Sequence, residues 1–201
     1  PRHLPKITFL MLMRDERLAT LRSRFEEAST TLVIERDGKA VARGDLSAPL
    51  GRRMLEQFIA AYMKTALRGA PRIVSAPGHS FSDVATKCVH IVNLASVREL
   101  ERVSGRSIDP LRFRANLHVD GLPAFAERGL VGKTLAIGEV RLAAFADTTR
   151  CAATEVDPAT GARDIAVPSL IRRQWGHEDF GIYAKVDTGG TIRRGAAVTV
   201  A

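Results

Sequence analysis

Phe113-Arg114-Ala115-Asn116-Leu117-His118-Val119-Asp120-Gly121 sets the pattern for the C-terminal part of this chain. Read as a strand, it turns Phe113, Ala115, Leu117 and Val119 to one side and Arg114, Asn116, His118 and Asp120 to the other. A half-buried strand with a core face and a solvent face shows this alternation. From residue 113 onward, short β-rich runs alternate with glycine turns, which predicts a small closed barrel. The fold class expected is α+β, mainly β, with a few short helices and one longer amphipathic helix.

Downstream, Thr148-Thr149-Arg150-Cys151 follows a strand-like run and precedes Asp157-Pro158 and Gly161. That is turn chemistry, so the chain reverses soon after the thiol and holds it near a sheet rim. A thiol acts as nucleophile or metal ligand in its thiolate form, which a neighbouring cation such as Arg150 favours. The competing reading of Cys151 is a small buried apolar side chain.

Further upstream the period changes. Thr31–Arg36 and Lys39–Arg43 flank Asp37-Gly38, a β-hairpin signal. Ile7–Met13 is a continuous apolar run that reads as a buried strand. Leu50, Met54, Phe58 and Tyr62 recur every four residues, with Leu55, Ile59 and Met63 one step round. This spacing predicts an amphipathic helix over 48–68, with Ser47 as N-cap and Gly69 at its end, and its Met and aromatic stripe packed. Cys88–Val92 reads as a strand, and Ala95–Val103 as a helix capped by Asn93 or Ser96 and closed by Gly105. The loop from Ala70 to Gly78 marks the expected boundary between an N-terminal region, 1–77, and a second domain, 78–201.

A net charge of +8 and a pI near 10.2 favour anionic partners. The cations are scattered, however, and aromatic content of 5% is poor material for base-stacking platforms, which speaks against nucleic acid. No apolar run approaches the ~20 residues that span a bilayer, so no membrane is expected. Two cysteines, Cys88 and Cys151, make no disulfide framework, which fits a reducing cytoplasm. Cys88-x-His90 has no second pair at zinc spacing and reads as a core cysteine and a satisfied histidine. Val131-Gly132-Lys133-Thr134 imitates the end of a phosphate-binding loop, but Glu127 stands where that pattern demands glycine. There is no dinucleotide fingerprint and no nucleophile elbow.

Taken in order, these segments resemble the MOSC domain, named for the C-terminal domain of molybdenum cofactor sulfurases. Phe113–Gly121 resembles the family's F-R-x-N strand, and Pro123-Ala124-Phe125-Ala126-Glu127 the acidic turn after it. Val131–Gly138 is similar to its glycine-flanked strand, and Thr148–Gly161 to its cysteine motif. Asp179–Ala184 and Gly190–Gly195 resemble its closing strands. The likeness runs over roughly 78–201 and extends to bacterial MOSC proteins and the amidoxime-reducing component family. Residues 1–77 resemble the back part of the β-rich region that often precedes the domain. No Y-P-x-K segment is present and the chain starts at Pro1, so a shortened N-terminal region is expected. Ser80–Lys87 keeps Asp83 but not the rest of the Asp-Thr-Ser-Pro segment found in members that reduce N-hydroxylated substrates.

The resemblance implies a bound molybdenum cofactor (molybdopterin), with Cys151 as molybdenum ligand and catalytic residue. Arg114 and Asn116 would hold the pterin phosphate, and Asp83 and Arg150 would be further cofactor contacts. A guanidinium grips phosphate through a bidentate fork, and an amide both donates and accepts. The implied activity is a molybdenum-dependent oxidoreductase acting on a small N-oxygenated molecule with a redox partner protein. The alternative is a sulfurtransferase that carries sulfur as a Cys151 persulfide. The family also carries an association with pyridoxal phosphate binding. A basic non-catalytic binding module is the reading from outside the enzyme classes.

Overall fold

The computed structural model describes residues 4–78 and 81–200. The chain divides into two compact units, Pro1–Pro77 with Val156–Arg163, and Gly78–Glu155 with Asp164–Ala201. Among the described residues no helix is long and apolar enough to cross a membrane.

The first unit is built on a three-stranded antiparallel sheet, β1 (Arg22–Glu26), β2 (Thr31–Arg36) and β3 (Lys39–Asp45), in that order. Asp37 and Gly38 join β2 to β3 with φ of 51° and 74°, the paired left-handed conformations that a two-residue hairpin needs. Helix α1 (Pro49–Tyr62) lies against β3. Two glycines permit that approach. A Cβ at Gly44 would stand 2.3 Å from Gly51 O, and one at Gly51 would stand 2.2 Å from Asp45 O.

This contact decides which face of α1 is buried. Gly51, Leu55 and the C-cap Met63 face inward, while Leu50 (63% exposed) and Met54 (51%) face solvent. Of the two adjoining rows that the spacing offered, the one with Leu55 and Met63 is buried, while Leu50 and Met54 of the other are not. The helix is also shorter than the predicted 48–68. Ala48 rather than Ser47 occupies the N-cap, because Asp45 Oδ1 accepts the Ser47 N–H at 2.8 Å and its hydroxyl at 2.6 Å. At the other end the Arg17 guanidinium donates to Tyr62 O and stands 4.9 Å over the Tyr62 ring, satisfying a terminal carbonyl.

Ile7–Met13 is not a strand. Lys6–Thr8 is a 3-10 turn in which the Thr8 N–H and hydroxyl both donate to Pro5 O, at 2.9 and 2.6 Å. Arg14 and Asp15 N–H groups then bond Met11 O. These local bonds leave no ladder to join, and Ile7, Phe9 and Leu10 stay exposed. The expected reversal after the thiol is present: Asp157 Oδ1 accepts the N–H groups of Ala159 and Thr160, and Gly161 adopts φ 74°.

The second unit is a six-stranded sheet curled into half a barrel. Its strands are β4 (Val89–Asn93), β5 (Leu117–Val119), β6 (Thr134–Ile137), β7 (Val140–Thr149), β8 (Asp179–Thr188) and β9 (Thr199–Val200). Their spatial order is β5-β4-β8-β7-β6-β9, with only the β4–β5 pair parallel. Because β5 and β9 end the order, the ring is open among the described residues, not closed as the glycine-punctuated pattern implied. The fold is α+β and mainly β, as expected.

Helix α2 (Leu94–Ser104) makes the crossover from β4 to β5. Asn93 Oδ1 accepts the Ala95 N–H at 3.1 Å, and Gly105 ends the helix at φ 66°. Ser96 has another task. Its hydroxyl donates to the buried Glu127 carboxylate at 2.8 Å and accepts the Phe125 N–H at 2.8 Å, while Asn93 Nδ2 reaches Glu127 at 3.1 Å. Burial pushes the Glu127 carboxyl above its ordinary range. Helix α3 (Val167–Trp175) joins α2 in one core cluster around Phe113 and Phe180, whose rings stack at 4.1 Å. A second cluster, with Leu135, Leu142 and Ile182 among its members, packs along the sheet.

Phe113–Asp120 is only partly a strand. Asp109 Oδ1 accepts the Leu111 N–H at 2.9 Å and starts a 3-10 turn, Pro110–Phe113; Arg114 follows at φ 53°. The ladder holds only Leu117–Val119. The facing of side chains survives nonetheless, with Phe113 buried and Arg114, Asn116 and His118 exposed. Gly190–Gly195, compared above with a closing strand, lies outside the strands.

Candidate functional site

The site begins where β7 runs out. Thr149 Oγ1 donates to Asp179 Oδ1 at 2.7 Å, and the Arg150 N–H donates to Glu178 O at 2.8 Å. The chain then leaves the ladder at Cys151, a free and half-buried thiol. The 3-10 turn Ala152–Glu155 follows, and Thr154 returns its N–H (3.0 Å) and hydroxyl (2.9 Å) to Cys151 O. Arg112, whose side chain is fully buried, grips the end of this turn. Its Nη1 donates to Thr154 O, Glu155 O and Asp164 Oδ1 at 3.2, 3.0 and 2.7 Å. Backbone and guanidinium together fix the segment that carries the thiol.

Arg150 turns inward beside it. Nη2 donates to Phe113 O at 2.8 Å, and the guanidinium lies 5.8 Å from the Phe113 ring centroid. Nη1 stands 3.3 Å from His90 Nε2. A guanidinium has only hydrogens to offer, so in this contact Nε2 accepts and the ring proton sits on Nδ1; Phe180 O, 3.4 Å from the same Nε2, would be served instead by the other tautomer. Burial, then the charges of Arg150 and His118, push His90 down to about 4, so the ring is neutral near pH 7. Burial also lowers Arg150, opposed by Tyr183, Cys151 and Asp83. Among the described residues Arg150 makes no ion pair with a carboxylate, and its Nε is buried without a hydrogen bond.

Gly181 makes room for this arrangement. It adopts φ 81°, and a Cβ there would stand 2.6 Å from His90 Nε2 and 2.5 Å from Ile91 O. Tyr183, paired with His90 in the β4–β8 register, lies between the His90 ring (centroids 5.6 Å apart) and the Phe145 ring (6.2 Å). Burial raises the Tyr183 phenol, which Arg150 partly offsets.

Asn116 is fastened to the same strand. Its N–H donates to His90 O at 2.9 Å, and its Oδ1 accepts the His90 N–H at 2.8 Å. Among the described residues its Nδ2 makes no hydrogen bond. Arg114 is exposed, and Arg150 feels its charge. Asp83 is exposed and acts electrostatically on both Arg150 and Tyr183. His79 and Ser80, the latter opening the segment compared above, lie outside the described residues. The structure thus gathers Cys151, Arg150, Arg114 and Asp83 into one electrostatic neighbourhood, with Asn116 joined through His90.

Cys88 stands apart from its predicted place in the core. It is half-buried and lines a hollow of about 220 Å³ with Lys87, Val89, Lys185 and Val186. Burial raises its thiol. Sequence reasoning passed over Tyr183 and Arg112 and treated His90 as filler. A glycine inside a strand, Gly181, was the available signal of a close approach at this point.

The family model described as the MOSC domain matches residues 76–199, and the chain belongs to that family. MOSC domains are associated with molybdenum cofactor biology. A protein named molybdenum cofactor sulfurase, from Caenorhabditis briggsae, is 33% identical over 115 residues, which cover 54% of this chain and 16% of that protein. That similarity gives an enzyme-family context, while the chain spans only a small part of its relative's length. Among solved structures, the crystal structure of YiiM from Geobacillus stearothermophilus matches with a TM-score of 0.45 at 18% identity. It covers 56% of this chain and 53% of that one.

Proposed function

We propose that this chain binds the molybdenum cofactor, with Cys151 as the protein ligand of molybdenum. The observation that carries the reading is the Cys151 segment: a free, half-buried thiol at the end of β7, fixed by Thr154 and Arg112, beside an Arg150 guanidinium with no carboxylate paired to it among the described residues. A desolvated charge is costly unless matched, so an anionic group is the complement this neighbourhood lacks. The donor set fits such a group. Arg114 presents an exposed guanidinium and Asn116 an Nδ2 with no hydrogen bond among the described residues, suited to a phosphate, while a soft thiolate suits molybdenum. When bound, the cofactor would supply the redox-active metal. The chain's residues would bind its anionic end, ligate through Cys151 and keep that thiol fixed through Arg112 and Thr154, with Asp83 at the exposed edge. The activity is reduction of an oxygenated nitrogen compound, drawing electrons from a partner protein.

Co-expression with cofactor synthesis followed by metal analysis tests this. Wild type should carry near-stoichiometric molybdenum and Cys151→Ser should not; equal, negligible metal in both overturns the ligand role. A second reading, sulfur transfer through a Cys151 persulfide, is favoured by the sulfurase relative. A persulfide trapped on Cys151 by mass spectrometry, with the metal assay blank, selects it.

A further inference from the structure

Tyr183 has a defined position and no assigned task. Its ring is held between His90 and Phe145, yet its hydroxyl makes no hydrogen bond among the described residues. The His90 ring that packs on it also contacts Arg150, through the 3.3 Å approach of Nε2 to Nη1. Phe113 O holds the other end of the guanidinium at 2.8 Å. One cation and one phenol donor therefore pack on the same imidazole, and the charges of Arg150 and Cys151 both act on that phenol. Both donors are partly open to solvent, as is the thiol. Fixed donors with unused capacity, in a partly desolvated place, form a receptor for negative oxygen.

We propose that Arg150 and Tyr183 form an oxyanion subsite beside Cys151, so that the small molecule taken here presents an anionic oxygen to that pair. Arg114 and Asn116 remain for the cofactor phosphate. This rests on Cys151 being the reacting centre, and adds the substrate class and a binding residue, Tyr183. The neutral state of His90 serves the subsite. A charged imidazole would push the guanidinium away, whereas the lone pair on Nε2 holds it.

The test uses cofactor-free protein, inorganic sulfate as ligand and the neutral reagent N-ethylmaleimide as reporter. Sulfate should slow alkylation of Cys151 in wild type while leaving Cys88 unchanged, and sodium chloride at matched ionic strength should not reproduce the effect. Tyr183→Phe, which keeps the ring packing, should raise the half-protecting sulfate concentration about tenfold, the size expected for a hydrogen bond to a charged group. Arg150→Gln should abolish protection, and circular dichroism establishes that it folds. Equal protection by chloride and sulfate overturns the subsite, as does an unchanged Tyr183→Phe response. Molybdenum retained by wild type without sulfate protection removes the subsite alone; sulfate protection without molybdenum loading removes the cofactor reading alone.

Discussion

Arg150, the residue before Cys151, donates to His90 Nε2 across 3.3 Å, a cation resting on a neutral imidazole. The pairing works only while the ring is unprotonated, because both nitrogens of a charged imidazole are donors.

Acid should therefore weaken the fold in a definite window. His90 falls from an unfolded value of 6.5 to about 4 in the fold, so the unfolded chain binds the extra proton first. The contribution is complete above pH 6.5, is lost as pH falls through that range, and is gone below about 4. Two and a half units correspond to about 3 kcal/mol. Urea unfolding between pH 4 and 7 measures it. His90→Gln, which keeps an acceptor without titrating, should show a flatter profile; an equally steep profile assigns the acid loss to other groups.

Gly181→Ala should be poorly tolerated. The added Cβ would meet His90 Nε2 and the Ile91 carbonyl, in a left-handed conformation that disfavours alanine. Strain of this kind costs roughly 1–3 kcal/mol before the clash is counted. Thermal unfolding should show the loss, and Cys151 alkylation should change as Arg150 is displaced. A stable protein with wild-type Cys151 kinetics would refute the packing described for His90.

Arg112→Met removes the clamp on the turn after Cys151. Asp164 is partly exposed and keeps Arg106 at 3.6 Å, so the main loss is the donor to the Thr154 and Glu155 carbonyls, about 1–3 kcal/mol. Limited proteolysis should cut within 152–155 before other sites. Cleavage elsewhere first would show that the turn holds without Arg112.

In the N-terminal unit, Gly51→Ala should detach α1 from β3, since its Cβ would stand 2.2 Å from Asp45 O. Backbone clashes have no flexible end to yield, so a loss of roughly 2 kcal/mol or more is expected. Leu50→Ala, on the exposed face, should change stability by under about 0.5 kcal/mol. The opposite ranking would mark the Leu50 and Met54 stripe as the packed face.

The β2–β3 hairpin was legible because Asp37-Gly38 states its turn locally, and α2 because Asn93 and Gly105 mark both ends. Periodicity placed α1 but not its rotation. Leu50, Met54, Phe58 and Tyr62 form as good a stripe as Leu55, Ile59 and Met63; the choice depends on Gly44 meeting Gly51, a contact between elements. Ile7–Met13 misled because an apolar run carries no sign of its hydrogen-bond partners. Within the site, Cys151, Arg114 and Asn116 stood out through residue types in a recognisable order. Arg112 and Tyr183 did not, since a buried arginine and a half-buried tyrosine are defined by tertiary partners 42 or more positions away, such as Thr154, or across a strand pair.

X-ray absorption at the molybdenum edge of the loaded protein examines the proposed ligand itself. A protein sulfur should contribute to the metal's first coordination shell in wild type and vanish in Cys151→Ser. An unchanged sulfur shell in that variant would contradict ligation by Cys151.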